Sequence, residues 1–296
     1  MLKKIKQHRR WTPFEIIAFI ILFIFAVAIV FPILWSVITT FKGNLEFREN
    51  KFGLPKDWRF DNYWVAIQNF KVVIEQGAGL RTVIIFEMLY NTILYAVGGT
   101  FFYMLCHYIM AYITAIYQNK FSKFLCWLML TLIVVPISTS AASTVDLLKN
   151  IGMYDTWVGW FFMRFNFTGI YFLILHESIK TTSASLTEAA ELDGAGRFSI
   201  MFRIVFPQVK GVVSAISLIN FIPLWNDYIN AKLYFPTHPT IGLGLFEYIQ
   251  SGNNAISGSI AMRLCGCMII FVPIFILFIV FRDNIMGNIS YGGVKE

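Results

Sequence analysis

Residues 16–35 read IIAFIILFIFAVAIVFPILW, twenty positions without one charged side chain. At a rise of about 1.5 Å per residue, a helix of that length spans the roughly 30 Å hydrocarbon core of a bilayer. The tract is longer than the apolar core of a signal peptide, and no small-residue cleavage pattern follows it, so it reads as a retained membrane helix. The composition agrees. Of 296 residues, 57% are hydrophobic, 17% aromatic and only 14% charged, whereas soluble domains carry about 25% charged residues. Mean hydropathy is +0.64.

Working outward, further apolar tracts cover residues 91–117, 124–145, 165–175, 212–226 and 264–281. With the first they make six expected spans, the fourth extending to Ser178 only by taking in His176 and Glu177. A backbone crossing lipid must satisfy its own hydrogen bonds, which makes each span a helix and the fold an all-α membrane protein. Lys3, Lys4, Lys6, Arg9 and Arg10 precede the first span and place residues 1–13 in the cytoplasm as a tail. Lys120 and Lys123 fall in the next inside connection. Six spans over residues 14–296 then return the C-terminus, with Arg282 and Lys295, to the same side. The segment 42–81, with seven Lys or Arg and five Asp or Glu, reads as an outside loop. The net charge of +7 suits contact with the cytoplasmic leaflet and gives no sign of nucleic acid.

The chemistry expected of an enzyme is missing. There is no GxxxxGK[ST] phosphate loop, so ATP hydrolysis on this chain is not expected. There is no HExxH, and His176-Glu177 lacks its second histidine. Cys106, Cys126, Cys265 and Cys267 lack metal-site spacing and read as small buried hydrophobes. No cofactor or metal is expected, and no internal repeat or soluble domain is evident.

One polar stretch interrupts the apolar chain: residues 185–207, SLTEAAELDGAGRFSIMFRIVFP. Ser185 and Glu188 have the spacing of a capping box. Leu186, Ala189 and Ala190 share a helical face, with Glu188 and Glu191 on the other. Gly194 suits the left-handed residue that ends a helix. A second helical run starts near Gly196, with Phe198, Met201, Phe202 and Val205 on one face and Ser199 and Arg203 on the other, and Pro207 is expected to stop it. The result is a helix–turn–helix knob on the cytoplasmic side. An amphipathic helix lying on the membrane is the plainer alternative. The acidic face of the first helix is wrong for an anionic leaflet and favours a protein contact.

The spacing Glu188-Ala189-Ala190, three residues, Gly194, nine residues, Ile204, one residue, Phe206-Pro207 resembles the EAA motif. That motif marks the membrane subunits of ABC importers that work with a substrate-binding protein. Tyr154-Asp155-Thr156, Leu224-Trp225-Asn226-Asp227-Tyr228 and the C-terminal Tyr291-Gly292-Gly293-Val294-Lys295 resemble the sugar-importing branch of the maltose-permease type. Two departures stand out: Phe206 replaces the usual Leu, and Thr182-Ser183-Ala184-Ser185 replaces a frequent Ile-Pro pair.

The resemblance implies the type I importer permease fold, with a coupling helix in the loop 181–207. There Glu188, Ala189, Ala190 and Gly194 carry movement between ATPase and pore. It also implies a second permease subunit, of different sequence, two ATPase subunits that hydrolyse the ATP, and an extracytoplasmic binding protein delivering a carbohydrate, an oligosaccharide by the branch resembled. The location implied is the inner or cytoplasmic membrane. The alternative from another class is a proton-coupled secondary carrier, which calls for paired intramembrane ionisable residues and inverted repeats that the sequence does not display.

Polar residues in the spans complete the reading. Trp225, Asn226 and Asp227 are candidates for the translocation path, with the indole stacking on a sugar ring. The competing reading has the helix unwinding near the outer surface, where Asp227 meets water. His107 reads as a neutral histidine bonded to a neighbouring carbonyl, and Arg164 as snorkelling to the outer interface. Pro136, Pro223 and Pro273 are candidate kinks.

Overall fold

A computed structural model describes residues 12–76, 79–117, 119–135, 141–182, 184–250 and 258–289. The basic cluster from Lys3 to Arg10, Pro136 and the C-terminal residues from Tyr291 to Lys295 lie outside the described residues. The chain divides into two compact units, one running to Gln68 and taking in residues up to Met268 from the last helix, the other holding the remainder.

In the first unit, α1 (Pro13–Thr40) begins at a capping box: Thr12 Oγ1 accepts from the Glu15 amide, and Glu15 accepts from the Thr12 amide. Pro13 takes the first helical position, where its missing N–H costs nothing. From Phe14 to Leu34 nearly every large apolar side chain of α1 is exposed, as in a helix whose solvent is lipid. Its end is fixed by Asn62, whose Nδ2 donates to the carbonyls of Thr40 (2.7 Å) and Lys42 (3.0 Å). Lys42 is itself buried and its ammonium donates to the Asn50 carbonyl at 2.8 Å. Two short helices follow, α2 (Asn44–Glu49) and α3 (Asp61–Asn69).

The second unit opens with an antiparallel hairpin, β1 (Lys71–Gln76) and β2 (Gly79–Ile84), at the end of the segment 42–81 that the sequence presents as a loop, and it is an addition to the all-α expectation. Its cause is legible: Val72 and Ile74 are buried while Lys71, Val73 and Glu75 are exposed, the period of two expected of a half-buried strand. The helices that follow are α4 (Ile85–Ile116), α5 (Lys120–Val134), α6 (Ala141–Asn150), α7 (Trp157–Arg164), α8 (Ile170–Lys180), α9 (Ala184–Leu192), α10 (Arg197–Trp225), α11 (Ile229–Tyr234), α12 (Ile241–Gln250) and α13 (Ile260–Ile289). Apart from the hairpin the described residues are helical or irregular, and the protein is a helical membrane protein.

Among the described residues four helices are long and apolar enough to cross a membrane: α1, α4, α10 and the Ile260–Val280 part of α13. The tracts expected at 124–145 and 165–175 yield shorter helices, α5 of 15 residues and α8 of 11. The first stops because Val135 precedes a proline, which pushes it into extended backbone, φ −82° and ψ 111°. Pro207 does the reverse of what the sequence suggests: it does not end a helix. A π-helical turn over Ile200–Val205 precedes it, and α10 continues through Pro207 to Trp225. A widened turn moves the preceding carbonyls away from the proline ring, which an unbroken α-helix would not.

The core of this unit lies where α4 meets α8 and α10. Tyr103, Met104, Tyr108 and Ala111 of α4 pack with Phe172, Leu175 and Ile179 of α8 and Met201, Val205, Val209 and Ile216 of α10.

Candidate functional site

The knob predicted at 185–207 is built by α9, a turn and the start of α10. The turn has the hydrogen bonds of a Schellman motif: Ala195 N donates to Ala190 O (2.9 Å) and Gly194 N to Glu191 O (3.1 Å). Gly194 supplies the left-handed residue at φ +77°, with no atom close to where a Cβ would sit. Its glycine is therefore required by backbone conformation alone. Ala190 is buried against the core, whereas Glu188, Ala189 and Gly194 are exposed.

Two expectations change here. α9 begins at Ala184, so Ser185 is a helical residue and not the cap of a Ser185–Glu188 box. The apolar face expected on the second helix also splits. Met201 and Val205 are buried, but Phe198 is 78% exposed and Phe202 is also exposed. The buried side is tied to α4, where the Tyr108 hydroxyl donates to the Met201 carbonyl at 2.6 Å.

The other end of α10 is closed. Trp225, which ends the helix, is 3% exposed, and its indole Nε1 lacks a hydrogen-bond partner. Asn226 is exposed, with its Nδ2 donating back to the Ile222 carbonyl at 3.0 Å. Asp227 is half-buried, and the helix does end before it. Its carboxylate accepts from the Tyr95 hydroxyl (2.7 Å) and from Asn230 Nδ2 (2.8 Å) and N (3.0 Å), the last an otherwise orphan amide in the first turn of α11.

Around this point the fold gathers residues that sequence reasoning left apart. Tyr95, wholly buried in a π-helical turn over Leu94–Gly98, stacks on Trp160 with ring centroids 3.8 Å apart. Trp160 Nε1 donates to the Tyr95 carbonyl at 3.2 Å. Arg164 does not snorkel outward. Its Nη2 donates to Asn220 Oδ1 (2.7 Å), its Nε to Gly99 O (3.3 Å), and its guanidinium lies 4.9 Å from the Tyr103 ring centroid. The charge is spread over aromatic faces and dipoles of three helices, α4, α7 and α10. His107 matches expectation: its ring nitrogens lie 2.9 Å from the Tyr103 carbonyl and 3.3 Å from that of Thr168.

Tyr154-Asp155-Thr156 is a structural turn. Thr156 Oγ1 caps α7 by accepting from Gly159 N at 3.1 Å. Asp155 takes a left-handed conformation, φ 58°, with its amide donating to Tyr234 O and its Oδ1 accepting from Thr237 N. Tyr154 donates to Leu233 O at 3.1 Å, and burial, then the charge of Asp155, pushes its phenol above the usual range.

Midway along the α4–α10 pair lies a cavity of about 460 Å³, lined by Val97, Thr100, Phe101, Val213, Ser214, Ser217, Leu218 and Phe221, with Leu277 of α13. Thr100 Oγ1 is buried there without a hydrogen-bond partner.

Residues 107–290, more than half of the chain, match the family described as the binding-protein-dependent transport system inner membrane component. The chain belongs to that family. Among curated relatives of this transport component, a maltodextrin transport system permease protein of Streptococcus pneumoniae is 27% identical, covering 100% of both chains. A diacetylchitobiose uptake system permease protein of Streptomyces coelicolor is 23% identical, covering 94% of this chain and 88% of that protein. The same fold occurs in the crystal structure of a bacterial ABC transporter involved in the import of the acidic polysaccharide alginate. That chain has a TM-score of 0.75 and 19% identity, with 93% of this chain and 98% of the other covered.

As a member of this family the protein is a transport component, not an enzyme. Among the described residues no group of three or more His, Cys, Asp or Glu could hold a metal ion, and the four cysteines are free. Cys106 and Cys265 are buried, while Cys126 and Cys267 are half-buried. The residues that sequence reasoning missed are Tyr95, Trp160 and Asn220. Their only signal was the acid and the arginine, Asp227 and Arg164, which must find partners inside an apolar bundle.

Proposed function

We propose that this family member is one half of the translocation path of an ABC importer for a carbohydrate, of the maltose-permease type, and that it carries an oligosaccharide delivered by an extracytoplasmic binding protein. The shorter α5 and α8 join the four long helices as spans, which sets both termini and residues 181–207 in the cytoplasm of a cell-membrane permease. α9 is the coupling helix. Glu188 and Ala189 form its contact surface, Ala190 anchors it, and Gly194 turns the chain back. The partners are a second permease chain of different sequence and two ATPase subunits. Trp225, Asn226 and Asp227 mark the outer end of the path, with Asn226 the residue open to a solute in this conformation.

One observation carries the reading. α9 exposes its Glu188-Ala189 face, with Leu192 and Phe198 exposed beside it, while Ala190 is buried behind that face and the turn at Gly194 closes the helix with backbone hydrogen bonds. A short helix with an acidic and apolar exposed surface and a rigid anchor is suited to seat in a cleft of another protein. The sugar-importing relatives support the substrate class.

Two measurements test this. Affinity purification of the tagged chain from a membrane extract is expected to bring down an ATPase and a second permease, and their absence removes the reading. Uptake by Gly194→Asp is expected to be lost while the chain still inserts, and normal uptake by that variant contradicts the role given to the turn.

A further inference from the structure

Two tyrosines of α4 tie that helix to both ends of α10. At one end the Tyr108 hydroxyl donates to Met201 O at 2.6 Å; at the other the Tyr95 hydroxyl donates to Asp227 Oδ2 at 2.7 Å. Both side chains are buried, Tyr95 wholly and Tyr108 with 3% of its surface exposed. Each tie also involves a π-helical turn, since Tyr95 belongs to the one at Leu94–Gly98 and Met201 to the one at Ile200–Val205. Met201 O already accepts from the Phe206 amide, the five-residue bond of that turn. The tyrosine therefore adds a second donor to a carbonyl already satisfied, and removing it breaks a link between helices without stranding a buried acceptor. Between the two ties a cavity of about 460 Å³ lies beside the pair, with the unpartnered Thr100 hydroxyl in its lining.

We propose that Tyr108 and Tyr95 are positioning residues that make α4 and α10 move as one lever, so that a displacement of the α9 knob reaches the turn at Asp227. This rests on the coupling role proposed for α9. In lipid there is no water to replace a broken interhelical hydroxyl bond, so each tie persists while the helices shift. The two ties clamp a pair that is also packed between them, through Met104 against Val209 and Ile216 and through Arg164 between Gly99 and Asn220, so motion passes between knob and turn along the pair as a unit. Loss of the Tyr108 tie lets the π-helical turn absorb the displacement locally.

The test uses the assembled importer, with spin labels at Leu192 in the knob and Ile229 at the start of α11, both exposed, in a chain whose half-buried Cys126 and Cys267 are serine. The Leu192–Ile229 distance is measured before and after trapping with ATP and vanadate. With both tyrosines present it is expected to stay constant within the 1–2 Å or so of ordinary helix adjustments, while the Leu192 label shifts relative to the ATPase subunits. In Tyr108→Phe, and separately in Tyr95→Phe, trapping is expected to change that distance by more than about 2 Å. The lever is overturned if the parent distance changes as much as the variants', or if both variants keep it constant. It is equally overturned if both variants fail to assemble where the parent succeeds, since the tyrosines would then be only structural. Failure of the parent chain to assemble with an ATPase strikes the proposed function instead.

Discussion

The two ends of α10 are built in opposite ways. The end at Ile200–Val205 meets a helix and turn whose side chains are largely exposed, and its glycine, Gly194, has open space around it. The end at Trp225 is bolted down by Tyr95, Trp160, Asp227 and Arg164, and its neighbouring glycine, Gly159, sits where a Cβ would overlap the Met153 carbonyl. The first end is constrained by backbone conformation and leaves a surface free for a partner. The second is constrained by packing and leaves little free. Under the proposed coupling role the first end is the face to be pushed and the second the frame that does not yield locally.

That contrast can be broken by substitution, with the largest effect expected at the closed end. Gly159→Ala must displace backbone, and is expected to destabilise by about 3 kcal/mol, read as lost accumulation and a lowered unfolding temperature in detergent. Asp227→Leu leaves the buried Tyr95 hydroxyl and the Asn230 amide in the first turn of α11 without their acceptor, an expected loss of about 2 kcal/mol in the same measurement. At the open end, Gly194→Ala meets no atoms and costs only the left-handed conformation, about 1–2 kcal/mol, so it is expected to unfold at a higher temperature than Gly159→Ala. If the two alanine variants unfold together, the distinction between the ends fails. Smallest of all, Thr100→Val removes a buried hydroxyl that has no partner, and is expected to leave stability unchanged within about 0.5 kcal/mol or raise it slightly.

Much of the open end was legible in the sequence. Glycine at a helix end needs only local reasoning, and Gly194 is left-handed as its position suggests. Local reasoning also misjudged nearby detail. Ser185 looked like a cap because Glu188 follows at the right spacing, yet the helix begins a residue earlier. Pro207 looked like a stop because a proline ordinarily breaks the hydrogen-bond ladder, yet a π-helical turn lets the helix pass. The closed end was almost illegible. Tyr95 and Asp227 stand 132 positions apart, and Arg164 and Asn220 56. Nothing in either neighbourhood names the other.

The sequence by itself determined that this chain lives in a membrane, that its spanning segments are helices, and that a charged helix–turn–helix interrupts them. Those properties follow from apolar length and from the backbone's need to bond within its own segment where water is absent. Only the tertiary structure decided which buried polar groups satisfy one another, because an intramembrane acid, arginine or hydroxyl is obliged to find a partner but is free to find it on any helix that packing brings near. The pairing of Tyr95 with Asp227 and of Tyr108 with Met201 was settled by how α4 and α10 meet.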